Sequence, residues 1–231
     1  MDLILVAHGT RRPAGVAMIG DLSERVGALL HRGVHVAFVD VLGPTPSEVL
    51  CAPATTGRPA ILVPAFLSRG YHVRTDLPHH IAMSGHPDVT VTAALGPSPQ
   101  AVRIVAENLV KSGWRPGDSV ILAAAGTSDQ AARTDLHTTA TMLSALTGSR
   151  VTLAFAATGQ PSVQEAVAHV RSRSARPIAV ASYLLADGLF QERLRNSGAD
   201  TVSDPLGTHP RLARLIADRF KRARIPVAAS A

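Results

Sequence analysis

Apolar residues in this chain fall into short unbroken runs separated by amphipathic stretches. In the first half, LILVA at 3–7, VHVAFVDV at 34–41, AILVPAF at 60–66 and VTVTAAL at 89–95 read as β-strands. Continuous apolar runs of this length, rather than alternating ones, mark strands buried on both faces of a parallel sheet. Between them, Ile19, Leu22, Val26 and Leu29 recur at helical spacing. A second helix is predicted from near Tyr71 toward Met83. Ala101, Val105 and Leu109 mark a third, with Ser98 placed to cap it. The second half repeats the scheme, with runs at 119–124, 150–156 and 177–183 and a weak fourth strand around 200–203. A last helix begins near His209 and carries Leu212, Leu215, Ile216 and Phe220 on one face.

The repetition extends to the residues themselves. RPAILVPAFL at 58–67 resembles RPIAVASYLL at 176–185, LGPSP at 95–99 resembles LGTHP at 206–210, and VAHGT at 6–10 resembles AAAGT at 123–127. VHVAF at 34–38 is echoed by SRVTLAF around Val151. The matches keep one order, so the chain reads as two copies of a unit of roughly 115 residues. A seam at WRPGD, 114–118, divides residues 1–115 from 116–231. The expected fold class is α/β, with two pseudo-symmetric doubly wound domains, each built on a parallel four-stranded sheet covered on both faces. Right-handed crossovers favour the strand order 2-1-3-4. That order sets strands 1 and 3 side by side at the switch point, where such sheets bind ligands at the carboxyl ends of their strands.

Composition narrows the function classes. Hydrophobic residues make up 46% and charged residues 17%, which suits a globular chain. No apolar run approaches the roughly 18 residues of a membrane span. Met1-Asp2 passes straight into a strand with no basic leader, so an unprocessed cytoplasmic protein is expected. Cys51 is the only cysteine, which excludes an intrachain disulfide and a cysteine-rich zinc site. The net charge is +6, and of 23 basic residues only Lys111 and Lys221 are lysines. Arginine's planar fork matches carboxylates, so an anionic partner is favoured. Nucleic acid is not, because aromatics are only 3% and a stacking readout is unsupported.

Two histidines carry the candidate chemistry. His8 ends the first strand in VAHGT, and His72 follows the third in PAFLSRGYHVRTDLP, 64–78. The proposed switch point brings both to one rim. In the second copy Ala125 and Phe190 stand in their places while Gly126 and Gly188 persist. The turns therefore do not need imidazoles, and the first copy keeps the chemistry. Neutral imidazole binds Fe, Co, Ni, Cu or Zn and accepts protons near neutral pH. A pair without thiolate or carboxylate makes an open site, suited to a metal that is handed on. Ala7 before His8 lacks the phosphate-gripping arginine of histidine phosphatases. No G-x-x-x-x-G-K-[ST], G-x-S-x-G or H-E-x-x-H occurs.

His8-Gly9-Thr10 after strand 1 and the segment Pro64–Pro78 fit HG[ST] and P-x-F-L-x-x-G-x-H-x-x-x-D-[IL]-P. In both, the chain resembles the sirohydrochlorin chelatases of the CbiX/SirB type, which are class II and ATP-independent. The resemblance is specific in the first copy and covers the second by pattern, matching the long, internally duplicated form. It implies a chelatase-like fold with a cleft between the domains, the degenerate second copy forming the opposite wall. It implies a lyase that inserts Fe2+ or Co2+ into sirohydrochlorin for siroheme or cobalamin biosynthesis, with His8 and His72 as catalytic residues that bind the metal and accept pyrrole protons.

Such a macrocycle is flat, apolar and fringed with carboxylates. Arg11, Arg12, Arg69 and Arg74 are candidates for a basic rim. Gly9, Thr10, Ser68 and Gly70 would offer N–H groups and hydroxyls. Phe66, Leu67, Tyr71 and Val73 are candidates to touch the ring. Asp76 would orient His72 as an acceptor or serve a helix start. His79 and His80 line a metal approach path or a solvated helix face. No permanent cofactor is expected, the metal (Fe2+, Co2+ or Ni2+) being substrate. The partner is the tetrapyrrole and the chain a monomer. The alternative function is a non-catalytic metal or tetrapyrrole carrier.

Overall fold

The first apolar run forms β1 (Asp2–Ala7), all six residues of which are buried in a computed structural model that describes residues 1–207 and 209–224. Thr208 of the LGTHP stretch lies outside the described residues. Pro13 opens α1 (Pro13–Leu30), its fixed φ suiting the first helical position. β2 (His35–Phe38), α2 (Pro46–Cys51) and β3 (Ala60–Pro64) follow, then a π-helical turn at His72–Asp76 that runs into α3 (Leu77–Ser84). β4 (Val89–Val91) and α4 (Pro99–Lys111) complete the first half. The second half contains β5 (Ser119–Ala124), α5 (Gln130–Thr147), β6 (Val151–Phe155) and α6 (Val163–Arg171). β7 (Ile178–Tyr183), α7 (Leu189–Arg195), β8 (Thr201–Val202) and α8 (Pro210–Ala223) end it.

Both sheets are parallel and four-stranded, in the orders β2-β1-β3-β4 and β6-β5-β7-β8. The expected 2-1-3-4 winding holds in each copy. Their cores correspond position by position. In the first, Ile4, Val6, Ala37, Leu62 and Ala60 pack with Val49 and Leu50 of α2 and Leu77 of α3. In the second, Ile121, Ala123, Ala154, Ile178 and Val180 pack with Val163, Ala166 and Val167 of α6 and Leu194 of α7. Each Val, Leu or Ile among them contributes about 1.5–3 kcal/mol on full burial.

The chain divides into two compact units. One holds residues 1–66, 71–95 and 213 onward; the other holds 67–70 and 96–212. The latter therefore includes α4, which lies before the seam at WRPGD. Among the described residues no helix is long and apolar enough to cross a membrane.

Three local readings are corrected. Leu29 is 41% exposed, and Leu30 takes the buried place beside Ile19, Leu22 and Val26. The cause is phase: Leu30 lies four residues after Val26, on the same helical face. The strand expected at 89–95 stops at Val91, and Leu95 instead donates its N–H to the Phe66 carbonyl at 2.9 Å. α2 was not anticipated, although Thr45 and Glu48 form a reciprocal capping box around it. Ser162 and Glu165 do the same for α6. Ser98 caps α4 as expected, accepting from the Ala101 N–H at 3.2 Å.

The turn after each first strand requires glycine. Gly126 has φ +118°, and a Cβ there would run into the Thr158 backbone; Gly148 has φ +65° with open space around it. Gly126→Ala is expected to cost about 2–3 kcal/mol or more, and Gly148→Ala about 1 kcal/mol. Urea denaturation of the two variants measures the difference, and equal losses would contradict the steric account.

Candidate functional site

Parallel pairing of β1 with β3 sets Val6 opposite Pro64, so both strands release the chain at one rim of the sheet. The backbone at His8 stays tied to the sheet edge: Val39 N–H donates to the Ala7 carbonyl at 3.0 Å and Asp40 N–H to the His8 carbonyl at 3.1 Å. Gly9 then turns away with φ +97°, where any side chain would strike the Asp40 carbonyl. On the other strand, Ala65 N–H donates to the Val6 carbonyl at 2.7 Å before the chain departs.

His72 opens the π-helical turn, closed by the Leu77 N–H donating to its carbonyl five residues back. Such turns are rare and recur at functional sites. The two imidazoles, 64 positions apart in sequence, lie with ring centroids 4.4 Å apart and planes at 83°. Phe66 stacks on His72 at 6.0 Å and 23°, and Tyr71 meets it edge-on at 6.1 Å. Phe66 also packs against the core of its sheet, which couples the ring of His72 to a fixed surface.

Each imidazole has one nitrogen occupied. His72 Nδ1 lies 2.6 Å from Asp76 Oδ2, and His8 Nδ1 lies 3.1 Å from the Gly9 carbonyl. A carbonyl and a carboxylate only accept, so both Nδ1 atoms donate and both neutral rings keep their lone pair on Nε2. Asp76 also stands directly before α3. His8 is exposed and His72 half-buried, so both are open to solute. Among the described residues no group of three or more His, Cys, Asp or Glu is arranged to hold a metal.

The remaining candidates separate by environment. Thr10 and Val73 are half-buried, and Thr10 Oγ1 accepts from the Arg12 N–H at 3.2 Å. Arg11, Arg12 and Arg74 are exposed and give this end of the sheet positive charge, while Tyr71 is 61% exposed. Ser68 and Gly70 are half-buried, and Leu67 presents its carbonyl to the Tyr183 hydroxyl at 2.9 Å. Arg69 is committed to Asp135: Nη2 donates at 2.6 Å and Nε at 3.0 Å, and the hydrogen bonds and charge of Asp135 hold the guanidinium above its ordinary pKa. His80 meets Ser47 Oγ at 3.3 Å, and His79 is exposed beside it.

The contacts of Asp135 with Arg69 and of Tyr183 with Leu67 are not announced by the sequence. The signal for Asp135 was an acidic residue on the face of α5 that also carries Ala132, Leu136, Ala140 and Leu143, where only a partnered charge is tolerated. Nothing in the strand IAVASY distinguishes Tyr183 from an ordinary core aromatic.

Comparison with known proteins agrees with the fold. SirB from Bacillus subtilis with Fe3+ superposes at a TM-score of 0.82, with 19% identity and 96% of both chains covered. The sirohydrochlorin chelatase SirB from B. subtilis subspecies spizizenii in complex with cobalt gives 0.76, 21% identity, and 96% and 95% coverage. Both likenesses establish the fold. A sirohydrochlorin cobaltochelatase of Methanothermobacter thermautotrophicus is 30% identical over 84 residues, 36% of this chain and 59% of that one. The match thus spans less than two thirds of that relative's length. The CbiX family model matches residues 2–112 and again 119–223, the two halves of the duplication. On that double match the chain belongs to the CbiX family.

Proposed function

We propose that this chain is an ATP-independent chelatase, a lyase that inserts Fe2+ or Co2+ into sirohydrochlorin in siroheme or cobalamin biosynthesis. The observation that carries the reading is the pair of imidazoles at 4.4 Å, each with its Nδ1 occupied and its Nε2 lone pair open. Family membership and the likeness to the Methanothermobacter sirohydrochlorin cobaltochelatase support it.

The chemistry follows from the donor set. Insertion exchanges two pyrrole N–H protons for one divalent cation. His8 and His72 supply two nitrogen ligands to the incoming metal, too few to retain it against four macrocycle nitrogens. As the metal leaves, the same lone pairs are freed to take the two displaced protons. Asp76 stabilises the imidazolium that His72 becomes and keeps the ring aimed throughout. Arg11, Arg12 and Arg74 offer charge to the carboxylate fringe. Phe66, Tyr71 and Val73 offer apolar surface to the ring, and Gly9, Thr10, Leu67, Ser68 and Gly70 line the two segments that flank it. Arg69 serves indirectly, since its fork is engaged. The metal is substrate; the protein acts as a monomer in the cytoplasm.

The purified protein is expected to accelerate Co2+ and Fe2+ insertion with many turnovers and no ATP, followed by the absorption of the macrocycle. A rate equal to the metal-only control would reject the enzyme, and a single stoichiometric burst would indicate a carrier. His8→Ala and His72→Ala are each expected to lower the rate by about tenfold or more with the fold retained. Full activity in both variants would reject the site.

Asp76→Asn removes the anionic acceptor while keeping the shape. Weaker Co2+ binding, by about 10–100-fold, is expected by titration in visible absorption. An unchanged affinity would assign Asp76 to the helix start alone.

A further inference from the structure

The segment between β3 and the π-helical turn, Leu67–Gly70, is held from outside its own strand and turn. The Asp135 carboxylate, only 2% exposed, accepts the Arg69 main-chain N–H at 2.9 Å as well as the guanidinium fork. Using the main-chain donor fixes the backbone itself, not only a flexible side chain. Two residues earlier, the buried Tyr183 hydroxyl donates to the Leu67 carbonyl. Burial raises the Tyr183 phenol well above its ordinary pKa, so it remains a donor at every physiological pH. Gly96 closes the arrangement, because a Cβ there would strike both the Leu67 carbonyl and the Tyr183 hydroxyl. Gly70 faces α5 closely, its added Cβ falling 3.8 Å from that of Ala132.

The corresponding loop of the second copy is tied differently. There Asp187 occupies the place of Arg69 and pairs with Arg195 of the adjacent helix, both about half exposed. An exposed local pair of this kind holds little. The buried, main-chain-directed fixation occurs where the next residues are Tyr71 and His72, and its counterpart leads only to Phe190.

We infer that Asp135 and Tyr183 are positioning residues for metal transfer, clamping Leu67–Gly70 so that the chain enters the His72 turn in one conformation. The inference rests on the proposed chelatase reading. The clamp also gives Arg69 a carboxylate partner within the protein. A misplacement of a ligand by about 1 Å costs up to two orders of magnitude in rate, so a clamp one residue removed from Tyr71 is well placed to set kcat.

The test compares Tyr183→Phe, which deletes one hydroxyl and keeps the ring, with Asp135→Asn, which keeps the shape and deletes the charge. Steady-state Co2+ insertion is expected to show kcat lowered by about fivefold to tenfold with KM for the macrocycle within about twofold. Hydrogen exchange should quicken in the peptide spanning residues 67–76 and stay unchanged in β5 and β7. If KM rises while kcat holds, the segment binds substrate and does not position His72, and the inference fails. Unchanged kinetics with unchanged exchange also overturn it. Should Asp135→Asn lower the melting temperature sharply, Tyr183→Phe decides alone. His72→Ala in the same assay separates the questions: an inactive His72→Ala beside a normal Tyr183→Phe sinks the clamp and leaves the chelatase standing.

Discussion

Everything at the site depends on the parallel ladder between β1 and β3. A parallel pair necessarily ends at a common rim, and the register sets Val6 against Pro64. His8 stands two residues past Val6, and His72 is returned by a short segment and a π-helical turn. An antiparallel pair would have sent the two chain exits to opposite ends of the sheet. Sterically obligatory glycine at Gly9 and the hydrogen bonds at Ala7 and His8 then leave the first imidazole little freedom in where it stands.

Strand existence and winding were legible because buried parallel strands have to be continuously apolar, as β1, β3 and β7 are. The histidine pair was legible because the winding places strands 1 and 3 together. Strand ends were not. Thr92 and Ala94 continue an apolar, β-compatible run and Ala94 is buried, yet the strand has already stopped at Val91, since neighbouring backbone and not propensity decides where pairing ends. α2 hid because six residues cannot display a helical period, although Thr45-Pro46-Ser47-Glu48 contained the capping signal. Its match to Ser162–Glu165 was a further repeat that comparison of apolar runs alone overlooks. The tie between Asp135 and Arg69 spans 66 positions, and no local pattern announces a contact of that range.

Duplication has separated two demands that usually act together. Gly9 and Gly126 share the same left-handed turn, and Asp40 and Ala157 donate N–H groups to equivalent carbonyls, of His8 and Ala125. The fold has kept these in both copies. At the two strand-end positions imidazoles stand in the first copy only, with Ala125 and Phe190 in their places in the second. The second half keeps the architecture without the two imidazoles.

The hydrogen bonds that occupy both Nδ1 atoms also settle what competes for the site. With those positions taken, each ring has a single vacancy, so a hydronium-derived proton and a dissolved cation contend for the same pair of orbitals. Under the proposed chelatase reading, added acid would therefore antagonise metal capture by plain mass action. On that reading the antagonism would be imposed by two lone pairs rather than by any dedicated sensor.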